Sequence, residues 1–187
     1  AHQEAPLGLE GLTFNPGDTS KPVPVTTQTD TIAEADETFA VNLSHATNAT
    51  IADAQGVGTI VDDDAPPTLT INDVTVDPEG NTGTKSAVFT VGLSEASGKT
   101  VTVDYATANG TAVAPGDYVA NSGTLTFAPG VTTQTVTVVV NGDVTNEANE
   151  TFFVNLTTPT NATILDSQGV GTITNDDGVT TIAINDV

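Results

Sequence analysis

The segment ETFAVNLSHATNATIADAQGVGTIVDDD, Glu37 to Asp64, returns 113 residues later as ETFFVNLTTPTNATILDSQGVGTITNDD, Glu150 to Asp177. On its N-terminal side LTFNPGD (Leu12 to Asp18) returns as LTFAPGV (Leu125 to Val131), and on its C-terminal side TLTINDV (Thr68 to Val74) returns as TIAINDV (Thr181 to Val187). Self-similarity at a fixed period marks a repeat architecture. A period of this length suits a seven-stranded sandwich and is too long for one solenoid turn. One period is complete. The expected organisation is therefore an incomplete unit over 1–64 (the second half only), a complete unit over 65–177, and the first strand of a further repeat over 178–187.

Phe39, Val41 and Leu43 recur as Phe152, Val154 and Leu156, while Ala40 becomes Phe153. Side chains alternate across a strand, so the invariant set reads as a buried face and the variable position as an outward one. Strands are expected over 68–76, 86–94, 100–107, 123–127, 133–141, 150–157 and 169–175. Between them stand turn formers such as Pro78-Glu79-Gly80-Asn81, Asn109-Gly110, Pro115-Gly116-Asp117 and Asn141-Gly142. No stretch has helical periodicity. The fold class is all-β, an antiparallel β-sandwich in tandem repeats.

The 187 residues carry 24 acidic and 3 basic side chains, a net charge of −21, with no arginine. Phosphate binding needs clustered Lys and Arg, so nucleic acid is excluded as a partner. Hydrophobic residues at 37%, alternating along Val/Ile/Thr-rich stretches, argue against disorder. The absence of cysteine removes disulfides, thiol catalysis and Cys-ligated metals. No apolar run approaches the roughly 18–20 residues of a membrane helix, so no membrane insertion is expected. Ala1 to Gly11 carries Glu4 and Glu10 without an apolar core and does not read as a signal peptide.

The run INDVTVDPEGN (Ile71 to Asn81), VDYATANGTAVAPGDY (Val103 to Tyr118), SGTLTFAPGVTTQTVTVVV (Ser122 to Val140), NGDVTNEANETFFVNL (Asn141 to Leu156) and GVGTITNDD (Gly169 to Asp177) resembles the Calx-beta repeat. The resemblance implies an immunoglobulin-like β-sandwich. It also implies the settings in which such repeats occur: regulatory loops of sodium/calcium exchangers, matrix proteins and bacterial surface proteins.

Acidic residues gather in three places: Glu79 in the first loop, Asp143, Glu147 and Glu150 before the Phe152 strand, and Asp176 with Asp177 after the last strand. Alternate loops of a sandwich lie at the same end, so these carboxylates can converge. At 4 Å two like charges repel by on the order of 1 kcal/mol in water and about 4 kcal/mol at an effective dielectric of 20. A hard cation relieves this. Ca²⁺, with six to eight oxygen ligands in flexible geometry, suits such loops better than Mg²⁺. Transition metals would want His or Cys, and His2 and His45 stand apart.

The resemblance points the same way. Glu79, the Asp143/Glu147/Glu150 loop and the Asp176/Asp177 run match acidic positions at the calcium-binding end of the family's sandwich. Asn109, Asn146, Asn149 and Asn175 dilute that pattern, which implies fewer or weaker ions. The same carboxylates are also compatible with a merely solvated, solubilising tip.

No catalysis is expected. His45 becomes Thr158 in the other repeat, and no tryptophan is present to line a sugar cleft. The expected role is a calcium-stiffened structural or adhesive repeat of an extracellular or cell-surface protein. Asp62 to Asp64 before Ala65-Pro66-Pro67 reads as a stiff inter-repeat linker. Two alternatives stand beside this role: a calcium sensor, and a filament subunit. In the latter, strand 180–186 would be donated to the incomplete unit of another copy. Neighbouring repeats, of the same or another copy, are the expected partners.

Overall fold

The computed structural model describes residues 11–179 and 181–184. The chain divides into two compact units, Ala1–Ala65 and Pro66–Val187.

Unit 1 holds one hairpin, β1 (Glu37–Asn42) and β2 (Gln55–Ile60), paired antiparallel with Phe39 opposite Gly58. Among its described residues no second sheet faces this hairpin. The face expected to be buried is therefore only partly covered: Phe39 and Val41 are half-buried and Leu43 is exposed. His45 lies on the surface, as read from the sequence, whereas His2 falls outside the described residues.

Unit 2 is a two-layer β-sandwich of immunoglobulin-like type. One sheet contains β3 (Thr68–Ile71), β5 (Thr84–Leu93), β8 (Thr133–Asn141) and β10 (Thr163–Ile164), in the order β10-β3-β5-β8. The other contains β4 (Val74–Val76), β6 (Val101–Asn109), β7 (Ser122–Phe127), β9 (Glu150–Thr160) and β11 (Gln168–Ile173), in the order β4-β11-β9-β6-β7. The β-branched residues that fill these strands pack well on a pleated, half-buried surface. Their inward members form one core: Phe89 and Val91 of β5, Val101 and Val103 of β6, Val136, Val138 and Val140 of β8, and Phe152, Val154 and Leu156 of β9. Phe89 meets Phe152 edge-on across the layers at 5.9 Å between centroids.

The single first strand expected over 68–76 is two strands in different sheets. β3 runs antiparallel to β5, and β4 runs parallel to β11. The polar pair Asn72-Asp73 makes the crossing. Asn72 Oδ1 accepts from the Thr90 amide at 2.6 Å, and Asp73 Oδ1 accepts from the Val170 amide at 2.8 Å. Side-chain oxygens thus replace the ladder bonds the backbone forgoes there. This first segment therefore stitches both layers together just before the acidic first loop. Of the strand expected over 180–186, residues 180, 185 and 186 lie outside the described residues. Residues 181–184 are not in a strand, and Ile182 and Ile184 are exposed.

Candidate metal centre

Three connections of unit 2 carry the relevant carboxylates: 77–83 between β4 and β5, 110–121 between β6 and β7, and 142–149 between β8 and β9. The segment after β11 adds a fourth source.

The 77–83 loop is pinned one residue at a time. The Glu79 amide donates to Thr174 O at 3.0 Å. The Gly80 amide donates to Asp176 Oδ1 at 3.0 Å, and Asn81 Nδ2 donates to Asp177 Oδ1 at 2.6 Å. The result brings carboxylate oxygens of Glu79, Asp176 and Asp177 within 4.8 Å of one another. Glu79 is only 6% exposed, so it is a buried acid facing two others. Asp177 Oδ2 is buried without a hydrogen-bond partner, an expensive position for a carboxylate oxygen.

A second group joins Glu147 and Glu150 to Asp117, again within 4.8 Å. Asp117 was not singled out in the sequence, where Pro115-Gly116-Asp117 reads as a turn. Its loop is fastened to both neighbouring strands. The Ala112 amide donates to Thr151 O at 2.9 Å, the Asn141 amide donates to Asp117 O at 2.9 Å, and Asn141 Nδ2 donates to Pro115 O and Gly116 O. Tyr118, 1% exposed and stacked on Phe152 at 4.6 Å, anchors the residue beside it. The only sequence signal for Asp117 was this adjacency to a core tyrosine.

Asp143 belongs to neither group of three. Its Oδ1 accepts from the Thr145 amide at 2.6 Å in a local turn. Burial comes first in raising Glu79, Glu147 and Asp177, and the charge of Asp143 adds to the rise of all three. Gly142 permits this closeness, because a Cβ there would stand 2.0 Å from Gly80 O. Only a glycine lets the 142–149 loop lie against the Glu79 loop.

The asparagines that stand where carboxylates were expected have hydrogen-bonding work. Asn109 Oδ1 accepts from the Tyr118 hydroxyl at 2.6 Å and from the Ala114 amide at 3.1 Å, which shapes the Asp117 loop. Asn175 Oδ1 accepts from the Glu147 amide at 3.4 Å, and the Asn175 amide donates to Asn149 Oδ1 at 3.2 Å.

The electrostatics are those of crowded anions. Burial, then the charges of Asp143, Glu147, Asp177 and Asp176, push the Glu79 carboxyl above the usual range. Burial also comes first for Glu150, followed by the charge of Asp117 and a hydrogen bond with it, and its carboxyl is pushed up to about 7. The folded state thus holds protons that the unfolded chain releases near 4.5. Between those two values stability falls as pH rises. In chelator, the melting temperature is expected to increase as pH is lowered from 7.5 to 5. A flat or opposite profile would show that these carboxyls are not held above their ordinary range.

In unit 1, the Glu34 amide donates to Asp62 Oδ1 at 3.1 Å and the Asp62 amide donates to Asp36 Oδ1 at 3.0 Å. Burial and the charges of Asp63, Asp62 and Asp30 raise Asp64. Among the described residues, groups of three close carboxylates occur only in unit 2.

The fold and this tip define a class: an all-β sandwich module with convergent acidic loops at one end. The model of the Calx-beta domain matches residues 7–64 and again 62–186, and the chain belongs to that family. Among solved structures, the apo-form Calx CBD1 domain is 27% identical with a TM-score of 0.52, over 60% of this chain and 99% of that one. CBD12 from CALX1.2 is 28% identical with a TM-score of 0.53, over 59% of this chain and 46% of that one. The calcium binding domain CBD12 of CALX1.1 is 28% identical with a TM-score of 0.52, over 58% and 46%. This chain thus spans about half the length of those CBD12 chains. Comparison with curated proteins gives no match. Among the described residues no helix is long and apolar enough to cross a membrane.

Proposed function

We propose that unit 2 binds calcium at its acidic tip, and that the ion locks the loops of a structural repeat belonging to an extracellular or cell-surface protein. One observation carries the reading: Glu79, 6% exposed, faces Asp176 and Asp177 with carboxylate oxygens within 4.8 Å, and Asp177 Oδ2 is buried without a partner. Three carboxylates so placed repel one another, and a cation between them relieves that repulsion. Oxygen-only donors in loops favour Ca²⁺ over Mg²⁺, which demands a stricter octahedron, and over transition metals. Glu79, Asp176 and Asp177 would hold one ion. Asp117, Glu147 and Glu150 would hold a second, with Asp143 adding to the field of both. Membership of a family in which CBD12 of CALX1.1 is described as a calcium binding domain supports the same reading.

Asparagine at 109 and 175, committed to hydrogen bonds, lowers the charge available to an ion. Low ligand charge places affinity toward the 10⁻⁴–10⁻³ M of extracellular modules rather than the 10⁻⁷–10⁻⁵ M of sensors. A structural repeat therefore fits better than a switch. Isothermal titration of the chain with CaCl₂ and with MgCl₂ tests this. Heat of binding for calcium with Kd near or above roughly 0.1 mM, and a much weaker response to magnesium, is expected. Micromolar affinity would favour the sensor, and absence of calcium binding would leave only a solvated tip. Because ligating carboxylates must be deprotonated, the pH profile should also reverse with calcium present, acidification then lowering the melting temperature.

A further inference from the structure

The chain has three lysines and no arginine, yet one of those lysines stands at the acidic tip. Lys21 is spent on Asp18, at 2.8 Å in unit 1. Lys85, on the far arm of the 77–83 loop, donates from Nζ to the Pro78 carbonyl. Its Nζ lies 3.9 Å from where a Cβ on Gly80 would stand. The bond goes to a neutral carbonyl, so it consumes no carboxylate oxygen. It completes a series in which Pro78, Glu79, Gly80 and Asn81 are tied in turn to Lys85, Thr174, Asp176 and Asp177.

We propose that Lys85 is a counter-charge built into this loop: it offsets the repulsion among the tip carboxylates when no ion is present, and thereby weakens the affinity for calcium. The proposal rests on the calcium reading above. The physical basis is range. The ammonium is bonded to the Pro78 carbonyl and stands beside Gly80, whose amide holds Asp176 Oδ1. That puts the Asp176 carboxylate within the Debye length of about 10 Å at 0.1 M ionic strength, the range over which it and an incoming divalent ion respond to the charge. It attracts the carboxylates and repels the ion. Removing it should therefore destabilise the ion-free protein while tightening calcium binding, a pairing that simple loss of a loop contact would not produce.

The test uses the 187-residue chain as wild type, Lys85→Gln and Lys85→Arg. Tyr105 and Tyr118 are the only tyrosines and both lie in unit 2, and there is no tryptophan, so intrinsic fluorescence reports that unit's transition. In chelator at low salt, Lys85→Gln should melt roughly 1–4 °C below wild type. The gap should close toward 1 M NaCl, and Lys85→Arg should match wild type. By calorimetry at low salt, Lys85→Gln should bind calcium roughly two- to fivefold more tightly. Equal melts in chelator, a salt-independent loss, or unchanged or weaker calcium binding by Lys85→Gln would each overturn the proposal. If the wild-type chain takes up no calcium, the calcium reading falls together with the affinity half of this proposal. The chelator melts still decide whether Lys85 acts as a counter-charge.

Discussion

Calcium at about a hundred times its Kd is expected to raise the fluorescence-detected melting temperature of unit 2 by roughly 10 °C. An ion that binds only the folded state adds about 2.7 kcal/mol at that excess. In a unit of this size each kcal/mol moves the midpoint by roughly 4 °C. Glu79→Gln gives the sharper form of the prediction. In chelator it removes a buried negative charge that Asp143, Glu147, Asp177 and Asp176 all disfavour, so the variant should melt above wild type. In calcium it lacks a ligand, so it should melt below. This crossing of the two curves separates a metal site from a decorative acidic surface, for which Glu79→Gln would have the same effect in both buffers.

Phe152→Ala is expected to cost unit 2 about 3–5 kcal/mol, the usual range for deleting a buried phenylalanine, out of a total that for such a unit is about 5–15 kcal/mol. Phe152 is fully buried. It stacks on Tyr118 with the planes 18° apart, and it meets Phe89 edge-on at 75°. It also lies flat on Gly171, its partner across β9 and β11, where a Cβ would stand 2.3 Å from the Phe152 Cζ. Removing the ring therefore empties the point where both layers and the Asp117 loop meet, and that region cannot collapse without moving Tyr118. Urea unfolding followed by tyrosine fluorescence measures the loss. A cost below about 1 kcal/mol would contradict the packing described. The repeat supplies its own control. Phe39 lies over Gly58 in the same way but is half-buried, so Phe39→Ala should cost unit 1 far less, a loss followed by far-ultraviolet circular dichroism because both tyrosines lie in unit 2.

Most strands of unit 2 were legible because their inward residues alternate without interruption. Val136, Val138 and Val140 stand on one face in the sequence and are all buried in the fold. The division of the first strand was not legible as such, although Asn72-Asp73 marks the place. A polar pair inside an apolar alternation signals that the ladder is interrupted, but not that the chain changes sheets. The carboxylate clusters were readable as three groups along the chain, and the structure regroups them. Glu147 and Glu150 stand with Asp117, about thirty residues upstream, and Asp143 stands apart from both groups of three.

The sequence alone determined the repeat, the all-β class and the charge, since each is a property of order and composition: the 113-residue echo, the two-residue alternation, and 24 acids against 3 bases. Only the tertiary structure decided which acids face one another. Loops far apart in the chain meet at the tip through strand crossovers, and contacts such as the close approach of Gly142 to the Gly80 carbonyl set their spacing. Such contacts depend on how two sheets stack and leave no periodic trace along the chain.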